Sequence, residues 1–283
     1  MTPIVDSHQH LWDLSRFRLS WTDDVPDLSR SFVIDDYLEA TKDLGIAQSV
    51  YVEVDVEPSQ QAAEVDSVLE LCDSDDNPIS GMVIRGQPDS PEFKSHVNRF
   101  KERPGVKGVR QILNGKGMSR GHCLQKDFVD GLRFLGESGL LFDICAHPEE
   151  LSNVAKLIDM CKGTSFVLDH CGNPDLQRTD LEMWKRDIAE IARRDRVVCK
   201  VSGIVNKAKK GSWTPEDLTP VVDHVYEVFG PDRVMFGSDW PVCTLTATYK
   251  QWLDALQAIV RDRSEKEQRQ LFHDNARRVY KLN

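Results

Sequence analysis

Residues 140–158 read LLFDICAHPEELSNVAKLI, and this one stretch contains both halves of the unit from which the chain is built. Leu140 to His147 is a short β-rich run. Leu151, Val154, Ala155 and Ile158 follow at the i, i+3, i+4, i+7 spacing of a helix with one buried face. The same strand-then-helix grammar recurs outward in both directions. Further strand signals fall at Pro3 to His8, Ser49 to Val56, Ile79 to Arg85, Val106 to Leu113, Ser165 to His170, Arg196 to Ser202 and Arg233 to Asp239. Helical patterns such as Leu218, Val221, Val222 and Val225 lie between them, and Ser264 with Glu267 forms a capping-box pattern before the last helix. Eight alternating units imply a parallel sheet closed into a (β/α)8 TIM barrel rather than an open sheet.

Length and composition agree with one domain over residues 1–283, without a linker, low-complexity run or solenoid repeat. The formal charge of −10 disfavours nucleic acid and anionic membranes as partners. No apolar stretch reaches the length of a membrane span, and the N-terminus has no signal-peptide pattern, so a cytoplasmic protein is expected. The seven cysteines include no CxxC pair, which predicts reduced core thiols.

Side-chain parity locates the chemistry. Asp143, Cys145 and His147 share one face of their strand, with Phe142, Ile144 and Ala146 on the other; Val50, Val52, Val54 and Val56 are expected toward the helices, with Tyr51, Glu53 and Asp55 inward. Strand ends at the C-terminal face of such a barrel carry the active site. His8 and His10, two apart at the end of the first strand, can face one point, and His147, His170 and Asp239 occupy equivalent ends. Imidazoles with a carboxylate and no thiolate suit Zn²⁺, Mn²⁺ or a similar divalent ion with an open coordination position. Arg110 and Lys200 share the inward parity of their strands. They could hold a substrate carboxylate or hydroxyl-rich acid, or neutralise Glu53, Asp55, Asp143 or Asp6. Trp12, Trp21 and Trp240 flank the predicted mouth, and the long connection 11–33 is placed to close over it.

The segments IVDSHQHLWD (4–13), GVRQIL (108–113), LFDICAHPEEL (141–151), LDHCGNP (168–174), CKVSGI (199–204), FGSDWPV (236–242) and FHDNARRVYKL (272–282) resemble the amidohydrolase superfamily, in its branch of sugar lactonases of the L-fuconolactonase and L-rhamnonolactonase kind. The resemblance implies hydrolysis of a small lactone, with Asp239 as acid and base, and His8, His10, His147 and Asp239 as metal ligands. His170 would act as a further ligand or as a donor to the substrate carbonyl, and Arg110, Lys200, Trp21 and Trp240 would contact substrate. Binuclear members carry a bridging lysine carbamate or glutamate where this chain has Arg110 and Gln111, so at most one divalent ion is expected. Some members of the branch work without metal, which leaves metal dependence open. Two rival readings are a metal-dependent non-oxidative decarboxylase of an aromatic or muconate-type acid and a non-catalytic barrel that binds a small carboxylate. The expected partners are a small lactone or carboxylate and, as a homo-oligomer, further copies of the chain.

Overall fold

In a computed structural model, which describes residues 3–113, 118–178 and 180–283, eight parallel strands follow one another around the sheet in chain order. They are β1 (Ile4–Gln9), β2 (Ile46–Val52), β3 (Ile79–Arg85), β4 (Val106–Ile112), β5 (Leu141–Cys145), β6 (Phe166–Leu168), β7 (Val197–Val201) and β8 (Val234–Phe236). Helices α1 (Ile34–Ala40), α2 (Gln61–Cys72), α3 (Phe93–Phe100), α4 (Lys126–Glu137), α5 (Leu151–Met160), α6 (Glu182–Ala192), α7 (Pro215–Phe229) and α8 (Tyr249–Ile259) follow the strands in turn. The ring closes just beyond the last strand: Asp239 N–H donates to the His8 carbonyl and His10 N–H to the Trp240 carbonyl, both at 2.7 Å. This closure sets the end of β1 beside the end of β8, and so His8 and His10 beside Asp239.

The amphipathic stripes read from sequence are buried as expected, including Leu151, Val154, Ala155 and Ile158 on α5 and Leu218, Val221, Val222 and Val225 on α7. Ser264 and Glu267 make the reciprocal cap of the next helix, α9 (Glu265–Arg269). All seven cysteines are free thiols. Among the described residues, no helix is long and apolar enough to cross a membrane.

Inside the barrel two layers are stacked. The lower one is apolar, built from Val5, Val50, Val52, Val83, Leu141, Val167, Val198 and Met235, and is sealed from below by Ala276, Tyr280 and Leu282. The upper one is charged. The parity expected for the second strand is reversed within β2, where Val50 and Val52 point inward and Tyr51 outward, its hydroxyl donating to Glu64 of α2 at 2.8 Å, but holds past its end, where Glu53 faces inward and Val54 and Val56 join the outer core. β2 ends at Val52, which is how Val52 and Glu53 can both face the interior. Several expected strands also run too long. Asp55, His170 and Asp239 have φ of 57°, 53° and 57°, a left-handed backbone that no strand accommodates, so β2, β6 and β8 stop before them.

Candidate active site

At the C-terminal mouth a cavity of about 310 Å³ is lined by His10, Arg110, His170, Asn206 and Asp239 together with Trp21, Glu53, Asp55, Cys145, Asn173 and Lys207. Asp239 is its centre. Its Oδ1 lies 3.4 Å from His10 Nε2, 3.7 Å from His8 Nε2 and 3.9 Å from His170 Nε2, while its Oδ2 accepts from Asn206 Nδ2 at 3.0 Å. Burial works against the Asp239 carboxylate, but the imidazoles of His170, His10 and His8 outweigh it and hold the pKa well below the usual range. Burial lowers the pKa of His8 and His170, which favours the neutral ring that can offer a lone pair.

Each group is fixed from behind. Asp6, wholly buried in β1, accepts from Ser238 N–H and Oγ–H at 2.8 and 2.6 Å and from the hydroxyls of Tyr37 and Tyr249 at 2.9 and 3.1 Å, tying the two motif segments that carry His8 and Asp239. His10 Nδ1 donates to the Val52 carbonyl at 2.7 Å, which turns its Nε2 toward the cavity. His170 Nδ1 pairs with Ser202 Oγ at 2.9 Å. Only glycine fits at position 203 beside it, because φ there is +63° and a Cβ would stand 2.5 Å from His170 Nδ1.

Three expected site residues stand elsewhere. His147 is exposed, because β5 ends at Cys145 and the chain turns away at Pro148; the inward end of that strand is the Cys145 thiol. Trp240 is buried against Phe32 and Tyr37, at ring separations of 5.6 and 5.4 Å, and does not line the cavity. Lys200 is fully buried beneath the cavity, 2.6 Å from Asp143 and 3.1 Å from Asp169. Arg110 does line the cavity, but its fork is closed: Nε donates to Glu53 Oε1 at 2.7 Å and Nη2 to the Glu53 carbonyl at 2.6 Å. Trp21 lines the cavity as expected, held by Nε1–H donation to the Val54 carbonyl at 2.8 Å. His96, His122, His224 and His273 lie away from the cavity and pair locally with Arg85 O, Asp89, Lys185 O and Asp274.

Asp169, Asn206 and Lys207 are the contributors that the sequence did not single out. Asp169 sits next to the conspicuous His170, and Lys207 lies in the turn Ile204–Lys207 past β7, where no periodicity marks it.

The donor set fits one divalent ion. The separations of 3.2 Å (His8 Nε2 to His10 Nε2) and 3.4 to 3.9 Å (imidazoles to Asp239) bracket the edge of about 3.4 Å expected of a tetrahedron with bonds of about 2.1 Å. His8, His170 and Asp239 present ligand atoms within 4.8 Å of one another. Arg110 occupies the fourth-strand position, where a bridging anion would be required for a second ion.

The family model described as amidohydrolase matches residues 5–282. The chain belongs to the amidohydrolase family. It is 29% identical to an L-fucono-1,5-lactonase of Burkholderia multivorans, covering 98% of this chain and 96% of that one. It is 21% identical to an L-rhamnono-gamma-lactonase of Scheffersomyces stipitis, over 99% and 98% of the two. Among solved structures, an amidohydrolase from Burkholderia multivorans with bound zinc superposes with a TM-score of 0.89 at 27% identity, covering 99% of this chain and all of that one. The chain is thus an enzyme of that family.

The wall of the cavity carries a titratable anchor. Glu64 of α2 accepts from Tyr51 Oη–H at 2.8 Å and Val54 N–H at 2.9 Å, and so holds the Glu53–Asp55 segment in place. Burial, with Glu53 nearby, raises its pKa from 4.5 to about 7. A carboxyl whose folded pKa is raised stabilises the fold fully below its unfolded pKa and loses that contribution as pH climbs through about 7. The span corresponds to on the order of 3 kcal/mol. Wild-type Tm is expected to fall between pH 5 and pH 8, and Glu64→Gln to flatten that fall in differential scanning calorimetry; parallel Tm curves for the two proteins would show the charge at Glu64 to be irrelevant.

Proposed function

We propose that this enzyme opens the ring of a neutral, hydroxyl-bearing lactone of the aldonolactone class by attack of water on the ring carbonyl. The observation that carries the reading is the convergence of three imidazoles on Asp239, which with His10 and His170 lines one small cavity whose fixed charges are already matched. Arg110 is closed on Glu53, and Arg85 pairs with Asp55. Lys207 at the rim is the one lining cation without an ion pair among the described residues. Such a wall suits hydroxyl groups better than the several carboxylates of an anionic lactone. Asn206 Oδ1 is a buried acceptor without a partner among the described residues, and it is available to a substrate hydroxyl. The names of the lactonase relatives support the same substrate class.

In the proposed reaction the oxygen of water bonds to the carbonyl carbon and the ring C–O bond breaks. Asp239 takes the proton that water loses and returns it to the departing alkoxide. Its depressed pKa suits the second transfer best, since a strongly acidic carboxyl gives its proton up readily. In the metal-free form His170, whose Nε2 faces Asp239, would donate to the carbonyl oxygen. A divalent ion on His8, His10, His170 and Asp239 would polarise the carbonyl and acidify water.

The test is a lactone panel read by pH indicator, with neutral aldonolactones beside carboxylated ones, with and without added zinc. Acid release from a neutral aldonolactone is expected. Turnover confined to carboxylated lactones would overturn the assignment of substrate, and carbon dioxide release from an aromatic acid would overturn that of reaction.

A further inference from the structure

A second cavity, of about 200 Å³, lies between the connection 11–33 and helix α2. Leu11, Trp12, Phe17, Phe32, Val68 and Leu71 give it apolar sides. It is separate from the catalytic cavity. Among the described residues Val54 alone lines both, and Trp12 on this side meets Trp21 of the catalytic side edge-on, at a ring separation of 5.4 Å.

Glu64 is the anomaly in this lining. It is 2% exposed, and its Oε1 takes both hydrogen bonds given to the side chain, from Tyr51 Oη–H at 2.8 Å and from Val54 N–H at 2.9 Å. Its Oε2 is buried and has no hydrogen-bond partner among the described residues. A buried acceptor left unpaired is costly, and a donor carried in by a ligand would remove that cost. Charge decides the kind of donor. Asp13, Glu64 and Glu70 line the cavity against Arg16 alone, so three carboxyls face one guanidinium and a cationic donor is favoured over a neutral one. Beyond the lining, the Glu53 carboxylate opposes ionisation of Glu64 and Arg85 favours it; with burial they leave the pKa at about 7, so the carboxylate is the main form at pH 8. Size decides the rest of the molecule. An apolar cavity of about 150 Å³ accommodates benzene, so the volume here matches one ring with a short arm.

We propose that this cavity is a second binding site, for a small organic ammonium ion whose ring lies among Trp12, Phe17 and Phe32 and whose N–H donates to Glu64 Oε2. The ligand is held without any group of the catalytic cluster. The site is therefore independent of both the metal and the lactone readings.

The probes are benzylamine and its neutral counterpart benzyl alcohol, titrated at pH 8 into the full chain and followed by ligand-observed NMR. Wild type should bind the amine at least tenfold more tightly than the alcohol. Glu64→Gln should weaken the amine at least tenfold and leave the alcohol nearly unchanged, because the amide keeps an oxygen for Tyr51 and Val54 and turns N–H donors toward the cavity. Ser67→Phe, which places a ring in the cavity from α2, should abolish binding of both probes. Asp239→Asn, altered in the catalytic cavity alone, should bind the amine as wild type does. If Glu64→Gln does not fold, Ser67→Phe and the wild-type comparison of amine with alcohol decide. Equal affinity of wild type for the two probes, undiminished amine binding in Ser67→Phe or in folded Glu64→Gln, or loss of amine binding in Asp239→Asn overturns the site. Failure of wild type to bind the amine at all would show a cavity that holds water only, and overturns it as well.

Discussion

Asp239→Asn is expected to lower kcat by about 10²-fold or more while the protein stays folded. The substitution is unusually clean at this position. Asp239 has a left-handed φ of 57°, which asparagine tolerates nearly as well as aspartate, so the backbone has no reason to move. An amide oxygen can still accept from Asn206 Nδ2, as Asp239 Oδ2 does at 3.0 Å. What disappears is the anionic oxygen facing His8, His10 and His170, the atom proposed to carry a proton between water and the leaving oxygen. Steady-state kinetics on the most active lactone of the panel, with circular dichroism as folding control, provide the measurement. A folded variant with near-native turnover would remove Asp239 from the chemistry and require another proton carrier.

The barrel was legible because its periodicities are strong: each helix carries an apolar stripe, and each unit repeats the same order. The strand-end histidines of β1, the His170 turn and Asp239 were legible for the same reason, being polar residues stranded at the ends of apolar runs. Parity failed where the backbone leaves the strand. Counting by twos places His147 inward, but β5 has ended at Cys145 and Pro148 redirects the chain. Counting along the second strand put Val50 and Val52 outside with Val54 and Val56, but the lower barrel is filled by valines from several strands, and hydrophobicity alone does not say which side of a two-sided sheet a residue takes. Charge was the harder problem. Arg110 and Lys200 were rightly placed inward by parity, yet sequence cannot show that Glu53, Asp143 and Asp169 come from other strands to meet them.

That difference has a large measurable consequence at Arg110. Glu53 is wholly buried, and its carboxylate survives there because Arg110, Arg85 and the Asp55 N–H together outweigh the burial that would otherwise raise its pKa. Arg110→Met leaves Glu53 with Arg85 at 3.5 Å as its remaining ion-pair partner, and Asp169 loses the guanidinium at 3.6 Å. Breaking a buried pair from one side typically costs about 3–5 kcal/mol. At about 2–4 °C per kcal/mol for a chain of this size, Tm should drop by roughly 10 °C. The double variant Glu53→Gln/Arg110→Met should recover most of that loss, because both charges leave together and the glutamine can still accept and donate hydrogen bonds. An arginine whose fork was free for a substrate carboxylate would behave in the opposite way: its loss would leave Tm nearly unchanged and raise KM for an anionic substrate. Thermal melts of the two variants beside KM values for a neutral and a carboxylated lactone therefore separate the roles, and an unchanged Tm with a raised KM for the carboxylated lactone alone would reopen the anionic substrate class that the closed Arg110–Glu53 pair argues against.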